Sequence, residues 1–468
     1  VRYVSTRGEA PALGFSDVLL AGLASDGGLY VPETWPALSE ATIAGFAGRP
    51  YHEVAFEIVR LFVDGEIADA ELRTMCLEAY AGFRHPAVAP LRQLGPGEWV
   101  LELFHGPTLA FKDFAMQLLS RLMDHVLAAR GERVTIIGAT SGDTGGAAVE
   151  AFRDRDNVDL FMLFPENRVS PFQQRQMTTT GAGNIHAIAL KGTFDDCQGT
   201  VKAMFGNAAL RQRLSITAVN SINWARIVAQ IVYYVTAAVA LGSPRRKVAF
   251  TVPTGNFGDI FAGYAAQRMG LPVGKLVIAT NVNDILARTL ATGRYELRGV
   301  TATTSPSMDI QVSSNFERLL FEAYGRDAAR IRQIMADLAD TGAFAIDARP
   351  LAGIREVFAA GTADEAATAL AMRETFRATG FIADPHTAVG LFVAEKHRSR
   401  RTPMVVLSTA HPAKFPRAVE AATGVEPMLP EGYAGLLSKV ERFTVLANDR
   451  RAVEDFVMAR ARAVADEV

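Results

Sequence analysis

The chain has almost no cysteine. Cys76 and Cys197 are the only two in 468 residues, and their wide separation offers neither a disulfide framework nor a metal-ligand spacing. No apolar run reaches the roughly eighteen residues that a membrane-spanning helix needs. The first residues show no succession of charged, apolar and small residues of the kind a secretory leader has. Charge of one sign is also missing: the net charge is -2, which leaves no basic footprint for nucleic acid or an acidic membrane. There is no His/Cys/Asp/Glu cluster for a metal. Neither a P-loop nor the three-glycine dinucleotide fingerprint is present, and no Gly-x-Ser-x-Gly elbow marks a hydrolase. Repeats and low-complexity tracts are absent. These absences leave a soluble cytosolic protein as the expectation. Hydrophobic residues at 49% and charged ones at 21% suffice for a large core, and the length suits two or three domains.

Residues 1–95 lack a strand–helix alternation. They hold a polar segment, Ser5-Thr6-Arg7-Gly8, and a glycine turn, Ser25-Asp26-Gly27-Gly28, running into Leu29-Tyr30-Val31-Pro32. Amphipathic spacing predicts helices over Phe15–Leu23 and Tyr51–Val63, with several short helices between Pro36 and Tyr80. This segment reads as a mainly helical layer over a catalytic core. From about residue 98, short β-rich runs alternate with helical ones. Strands are expected at Trp99–Phe104, Val134–Gly138, Leu160–Phe164, Asn184–Leu190, Lys247–Val252, Leu276–Thr280 and Met404–Leu407. Helices are expected from Lys112, Thr144, Pro171 and Asp259, and over about Phe194–Leu210. Thr301–Ser314 reads as a long polar loop, Ala328–Arg373 as alanine-rich helix and Lys396–Arg401 as a solvated face. Such alternation predicts an α/β fold of mostly parallel sheet flanked by helices, with ligands bound at the carboxyl ends of strands.

Five stretches carry the candidate chemistry, four of them at strand ends. In Glu102–Gln117, Lys112 stands at a strand-to-helix corner among Phe111 and Phe114. It is either an amine made nucleophilic by a dry pocket or a stem lying on apolar surface with its head in water. Gly138–Gly146 carries Ser141, Asp143 and Thr144 at a helix start: an anion site, or a helix capped by Ser141 or Asp143 with nothing bound. Pro253–Asp259 brings Gly255, Asn256, Phe257, Gly258 and Asp259 to another helix start, a phosphate cradle or a plain turn. Asn220–Arg226 offers Asn220, Ser221 and the Arg226 guanidinium, a set suited to phosphate or carboxylate, or a capped helix with a surface arginine. Leu407–Lys414 ends a strand in Ser408 and Thr409 and adds His411, catalytic or hydrogen-bonded for structure, and Lys414, a loop charge or an anion ligand. An amine, two glycine-rich anion cradles and a hydroxyl at one sheet edge together fit pyridoxal phosphate held by lysine.

The motifs YVSTRG at Tyr3, GLASDGGLYVP at Gly22, FHGPTLAFKDFAMQ at Phe104, GATSGDTGGAA at Gly138, NSINWARI at Asn220, PTGNFGDIFAGY at Pro253 and LSTAHPAKF at Leu407 resemble, in this order and over essentially the whole chain, the threonine synthase family of the longer bacterial and fungal type. The resemblance implies a fold-type-II pyridoxal-phosphate enzyme, similar to the tryptophan synthase β subunit. Such a fold has two open, mostly parallel sheets flanked by helices, plus a mainly helical N-terminal segment. The expected domains are 1–95, a large cofactor-binding domain of 96–129 and 236–468, and a small inserted α/β domain of 130–235. The implied reaction converts O-phospho-L-homoserine and water to L-threonine and phosphate. By resemblance Lys112 is the catalytic Schiff-base lysine, Gly255–Asp259 cradle the cofactor phosphate, and the Thr409 hydroxyl faces the ring nitrogen. Ser141, Asp143 and Thr144 meet the substrate carboxylate and the cofactor's ring face. Asn220, Ser221 and Arg226 grip the substrate phosphate. His105 becomes a candidate neighbour of the cofactor. No metal, nucleic acid or membrane partner is expected, and a monomer or homodimer is. A serine/threonine dehydratase of the same fold type is the alternative.

Overall fold

The computed structural model describes residues 1–140, 142–219 and 221–463. The chain divides into two compact units. One comprises Val1–Val18, Leu23–Phe111 and Ser221–Met428; the other comprises Leu19–Gly22, Lys112–Asn220 and Leu429–Val468.

The first unit is built on a six-stranded sheet. Its strands lie in the order Phe358–Thr362, Val273–Thr280, Val248–Pro253, Met404–Ser408, Glu98–Glu102, Leu91–Gly95. All neighbours run parallel except the last pair. Alternation along Val248–Pro253 shows why the strand is apolar throughout. Phe250 meets Tyr234 of helix Trp224–Ala240 (ring centroids 4.9 Å apart). Ala249 on the opposite face joins a core with Val389 and Val393 of helix Pro385–Glu395. Chain order and spatial order part company at the middle. The chain leaves Glu98–Glu102, enters Val248–Pro253 two positions away, and returns much later to fill the gap with Met404–Ser408. That is a topological switch point, where strand ends diverge and leave a crevice for a ligand.

The N-terminal segment of this unit closes on helix Trp224–Ala240. Tyr3, Trp35 and Phe62 pack their rings on Trp224 at centroid distances of 6.1, 5.9 and 5.9 Å. Tyr3–Ser5 and Tyr30–Pro32 pair as a two-stranded antiparallel ribbon. Two polar anchors tie that ribbon down: Thr6 Oγ1 donates to Glu317 Oε1 (2.6 Å), and Arg318 Nε donates to the Tyr30 carbonyl (3.0 Å). The second unit holds a five-stranded, all-parallel sheet in the order Thr444–Ala447, Ile185–Lys191, Val158–Pro165, Val134–Ala139, Ile216–Thr217. One of its faces, with Ile137, Phe161, Leu163, Ile188 and Leu190, packs on Cys197, Met204, Val453 and Val457.

The expected helix over Phe194–Leu210 is two helices, Phe194–Gly206 and Ala208–Arg213. Asn207 ends one and caps the other by accepting the Leu210 N–H. The alanine-rich stretch after Ala328 is not continuous helix. Gly342 takes a left-handed φ of 72° and stops the first helix. Ala343–Ala345 then pairs with Arg294–Glu296, and Phe358–Thr362 joins the large sheet in parallel register with Leu276–Thr280. Tertiary pairing overrides alanine's helix propensity there. Both thiols are buried and burial pushes them up, Cys76 to about 12 and Cys197 to about 11, so neither is a ready nucleophile. No helix among the described residues is long and apolar enough to cross a membrane.

Arg318 is fully buried, and its guanidinium donates to the Tyr30 carbonyl, the Ile222 carbonyl and the Asn315 side chain. Replacing it by methionine fills the space but leaves those acceptors unmatched. Arg318→Met is expected to lose about 3 kcal/mol or more of stability, read as a lowered midpoint in urea.

Candidate active site

The loop after Val248–Pro253 is shaped by what holds its carbonyls. Ser313 Oγ donates to the Gly255 carbonyl (2.7 Å). Asn315 donates twice to the Asn256 carbonyl, from its backbone N (3.1 Å) and from Nδ2 (3.0 Å). In a trans peptide the N–H points opposite to the C=O. Fixing these two carbonyls on one side therefore turns the Asn256 and Phe257 N–H groups to the other. Phe257 takes a left-handed φ of 63° and opens helix Gly258–Arg268. The N–H groups of Gly255, Asn256, Phe257 and Gly258 find no acceptor among the described residues. Consecutive free donors at a helix N-terminus form an anion cradle. Glycine is required at 255 because a Cβ there would lie 2.6 Å from the Ser307 carbonyl oxygen. At 258 a Cβ would lie 3.2 Å from Asn315 Nδ2.

The loops after the two adjacent strands are zipped together beside it. Leu103 N donates to the Ser408 carbonyl, Phe111 N to Thr409 and His411 N to Leu109 (2.9, 2.9 and 3.0 Å). Lys414 is buried and donates from Nζ to the Thr108 carbonyl (2.8 Å), so it anchors this zip rather than serving as a loop charge. Phe111 is one peptide bond from Lys112, the first residue of helix Lys112–Arg130. Thr409 is 5% exposed, and its hydroxyl has no hydrogen-bond partner among the described residues. His411 Nδ1 accepts the Ala413 N–H (3.2 Å), and the ring meets Phe104 edge-on at 5.3 Å. Burial, with Arg84 and His105 nearby, pushes its pKa down to about 4. It is a neutral capping residue. His105 holds Glu102 Oε2 through Nε2 (2.8 Å) and is partly buried.

In the second unit, helix Asp143–Phe152 follows the strand end at Ala139. Its cap differs from the expectation. Asp143 does not cap it: Gly142 is the N-cap, with φ 152°. The hydroxyl of Thr140 instead accepts the Gly142 and Gly145 N–H groups (3.0 and 2.9 Å). Asp143 is buried and accepts from Gln173 Nε2 through Oδ1 (2.7 Å), and Thr144 is half-buried. Ser141 and Asn220, both expected at the site, lie outside the described residues.

Asp259, Arg226 and Ser221 remain, and the first two sit deeper than expected. Asp259 faces away from the cradle. Its Oδ1 accepts from Tyr233 Oη (2.5 Å) and Tyr234 Oη (3.0 Å), and burial pushes its pKa up to about 7. Arg226 is not a surface arginine. It is 4% exposed, and its Nε and Nη1 have no partner among the described residues. Burial lowers its pKa to about 10, so it stays charged at neutral pH. A buried guanidinium with open donors is suited to an anion. Ser221 is half-buried and gives its carbonyl to Asn315 Nδ2 (3.0 Å). Sequence reasoning passed over Thr140, Gln173, Ser313, Asn315 and Arg318. Of these only Thr140 and Ser313 stood in stretches already singled out.

Four free N–H donors suit a phosphate dianion. A hydroxyl without a partner at the neighbouring strand end suits a ring nitrogen. The donor set fits pyridoxal phosphate. Residues 83–349 match the family of pyridoxal-phosphate dependent enzymes, and the chain is one of them, of fold type II. Residues 2–80 match the threonine synthase N terminus, and residues 387–457 match the threonine synthase C-terminal family. A threonine synthase of Pseudomonas aeruginosa is 56% identical over 459 residues, covering 98% of each chain. The crystal structure of a PLP-bound threonine synthase from Brucella melitensis superposes with a TM-score of 0.97 at 59% identity, covering 98% of this chain and 99% of that one. Yeast threonine synthase gives 0.94 at 37% identity and 98% coverage of both. The chain belongs to the threonine synthase family.

Two outcomes follow from this geometry. Gly255→Ala drives a methyl into the Ser307 carbonyl, a backbone atom that cannot swing aside. Pyridoxal phosphate titrated into the apoprotein is expected to bind on the order of tenfold more weakly. Asp259 carries a folded-state pKa above its unfolded value, so its ionisation opposes folding. As pH rises from about 4 to about 7 the unfolded chain gives up this proton first, and stability falls across that window. Asp259→Asn removes this slope. The variant is expected to gain about 2 kcal/mol on wild type between pH 5 and pH 8 in urea titrations.

Proposed function

We propose that the protein converts O-phospho-L-homoserine and water to L-threonine and phosphate, the closing step of threonine biosynthesis. The observation that carries this reading is the cradle of unpaired N–H groups at Gly255–Gly258, set at the switch point beside the unpartnered Thr409 hydroxyl. Family membership narrows the chemistry from pyridoxal-phosphate enzymes in general to this one.

In this reading Lys112 binds the cofactor, and the cofactor when bound supplies an electron sink for charge developing on substrate carbon. The Gly255–Gly258 N–H groups hold the phosphate end. The Thr409 hydroxyl meets the ring nitrogen, and a neutral partner there leaves the ring less protonated than a carboxylate would. Once substrate has entered, the Lys112 amine is the base that moves protons at the substrate's Cα, Cβ and Cγ. Ser141, Asp143 and Thr144, with Gln173 fixing Asp143, orient the substrate carboxylate. Asn220, Ser221 and Arg226 take the substrate phosphate. Arg226, buried with open donors, stabilises the charge that develops as phosphate departs. Asp259 supports the cradle helix through Tyr233 and Tyr234 rather than touching the cofactor.

The purified protein is expected to show an absorbance band near the visible edge and to release phosphate from O-phospho-L-homoserine. Lys112→Ala loses the band and roughly a thousandfold or more in turnover. Ammonia and ketoacid formed from serine or threonine, with no phosphate release, would overturn the reading in favour of a dehydratase.

A further inference from the structure

The segment Asp384-Pro385-His386-Thr387 has no part in the chemistry above, yet it is among the most buried polar stretches of the first unit. Asp384 and Thr387 are 0% exposed and His386 is 4%. Asp384 caps helix Pro385–Glu395: its Oδ2 accepts the His386 N–H (3.0 Å) and its Oδ1 accepts the Thr387 N–H (3.2 Å). A cap needs no more than that. Here the same carboxylate also takes two side chains, His386 Nδ1 on Oδ2 (2.7 Å) and Thr387 Oγ1 on Oδ1.

Each of those side chains reaches a different end of the site. The Ser307 backbone N–H donates to His386 Nε2 (3.2 Å). That contact fixes the tautomer: Nε2 accepts, so Nδ1 carries the proton and donates to Asp384. The Ser307 carbonyl oxygen is the atom that would meet a Cβ at Gly255. His386 thus holds the turn Pro306–Met308 as the wall behind the phosphate loop. Thr387 Oγ1 bonds Ser408 Oγ (3.0 Å), and Ser408 immediately precedes Thr409. Phe415, after the Thr409 loop, packs edge-on against the His386 ring at 5.0 Å.

We propose that Asp384, His386 and Thr387 form one brace that positions both ends of the cofactor, His386 the phosphate end through Ser307 and Thr387 the ring end through Ser408. None of the three touches the cofactor in this arrangement; they are positioning residues. The proposal rests on the reading that pyridoxal phosphate lies between the Gly255 loop and Thr409. The two loops follow the paired strands Val248–Pro253 and Met404–Ser408. A single carboxylate receiving both side chains makes the two distances depend on one group.

The test uses the holoenzyme and two readouts that report different ends. Phosphorus NMR of the bound cofactor reads the phosphate end, and the cofactor absorbance maximum and fluorescence read the ring end. His386→Leu removes the acceptor for Ser307. It is expected to move the phosphorus resonance and weaken cofactor binding on the order of tenfold. His386→Gln, which restores an acceptor near the Nε2 position, recovers most of both. Thr387→Val shifts the absorbance maximum while the phosphorus resonance stays put, and Thr387→Ser behaves as wild type. If His386→Leu does not fold, His386→Asn takes its place, because it keeps a donor toward Asp384 but falls short of Ser307. The brace is overturned if loss of the Ser307 acceptor leaves resonance and affinity unchanged. It is also overturned if glutamine recovers no more than leucine, or if Thr387→Val moves neither spectrum. A wild-type protein that shows no cofactor band after reconstitution overturns the functional reading itself and the brace with it, whereas a normal band with unresponsive variants overturns the brace alone.

Discussion

The buried guanidinium of Arg318 is the post on which the Gly255–Gly258 loop stands. It has neutral oxygens for hydrogen-bond partners: two carbonyls and the amide oxygen of Asn315. Burial lowers its pKa to about 9, which still leaves the charge in place at neutral pH. The charge is felt along a short chain. Arg318 donates to Asn315 Oδ1, and Asn315 Nδ2 donates in turn to the Asn256 and Ser221 carbonyls. A donor polarised by a cation on its far side binds its own acceptors more strongly. The peptide after Asn256 is thus pinned by a charge-assisted network, and its N–H is aimed without any residue of the loop spending a side chain on it.

The same post explains the N-terminal segment. Tyr30 gives Arg318 a carbonyl, while Thr6 and Arg7 hold the neighbouring Glu317 (Arg7 Nη2 to Oε2, 3.1 Å). YVSTRG and DGGLYVP are therefore motifs of support. Thr6 and Arg7 pair a glutamate, and the Tyr30 carbonyl orients an arginine, one step removed from the cradle. Their aromatic residue Tyr3 packs with Trp35 and Phe62 on Trp224, at the start of the helix that carries Arg226.

What could be read from the sequence follows from the range of the interactions. Val158–Pro165 and Val248–Pro253 are buried along their whole lengths, and that double burial wrote the apolar runs that marked them as strands. Phe358–Thr362 was not legible. FAAGT has little β-propensity, and the strand exists because Leu276–Thr280 offers it a parallel partner. The glycine loops were legible because close approach and left-handed backbone leave local marks. The groups that aim them were not. Ser313 and Asn315 act on carbonyls 58 and 59 residues away, the first within a stretch whose polarity suggested only a long loop and the second just beyond it, and no local pattern encodes such a contact.

Asp259 shows how a motif can mislead about its own members. It follows Gly258 directly, so a phosphate loop written as Gly-Asn-Phe-Gly-Asp invites the aspartate into the cradle. Helix geometry decides otherwise. Successive residues of an α-helix are turned by about 100°. Gly258 lies against Asn315, within the group that braces the phosphate loop, while the next side chain meets Tyr233 and Tyr234. A carboxylate among the cradle's donors would compete with the anion they are aimed at. Turned inward, with two phenols donating to it and a pKa near 7, it fixes the cradle helix to its neighbour and keeps its own charge away from the cradle's donors.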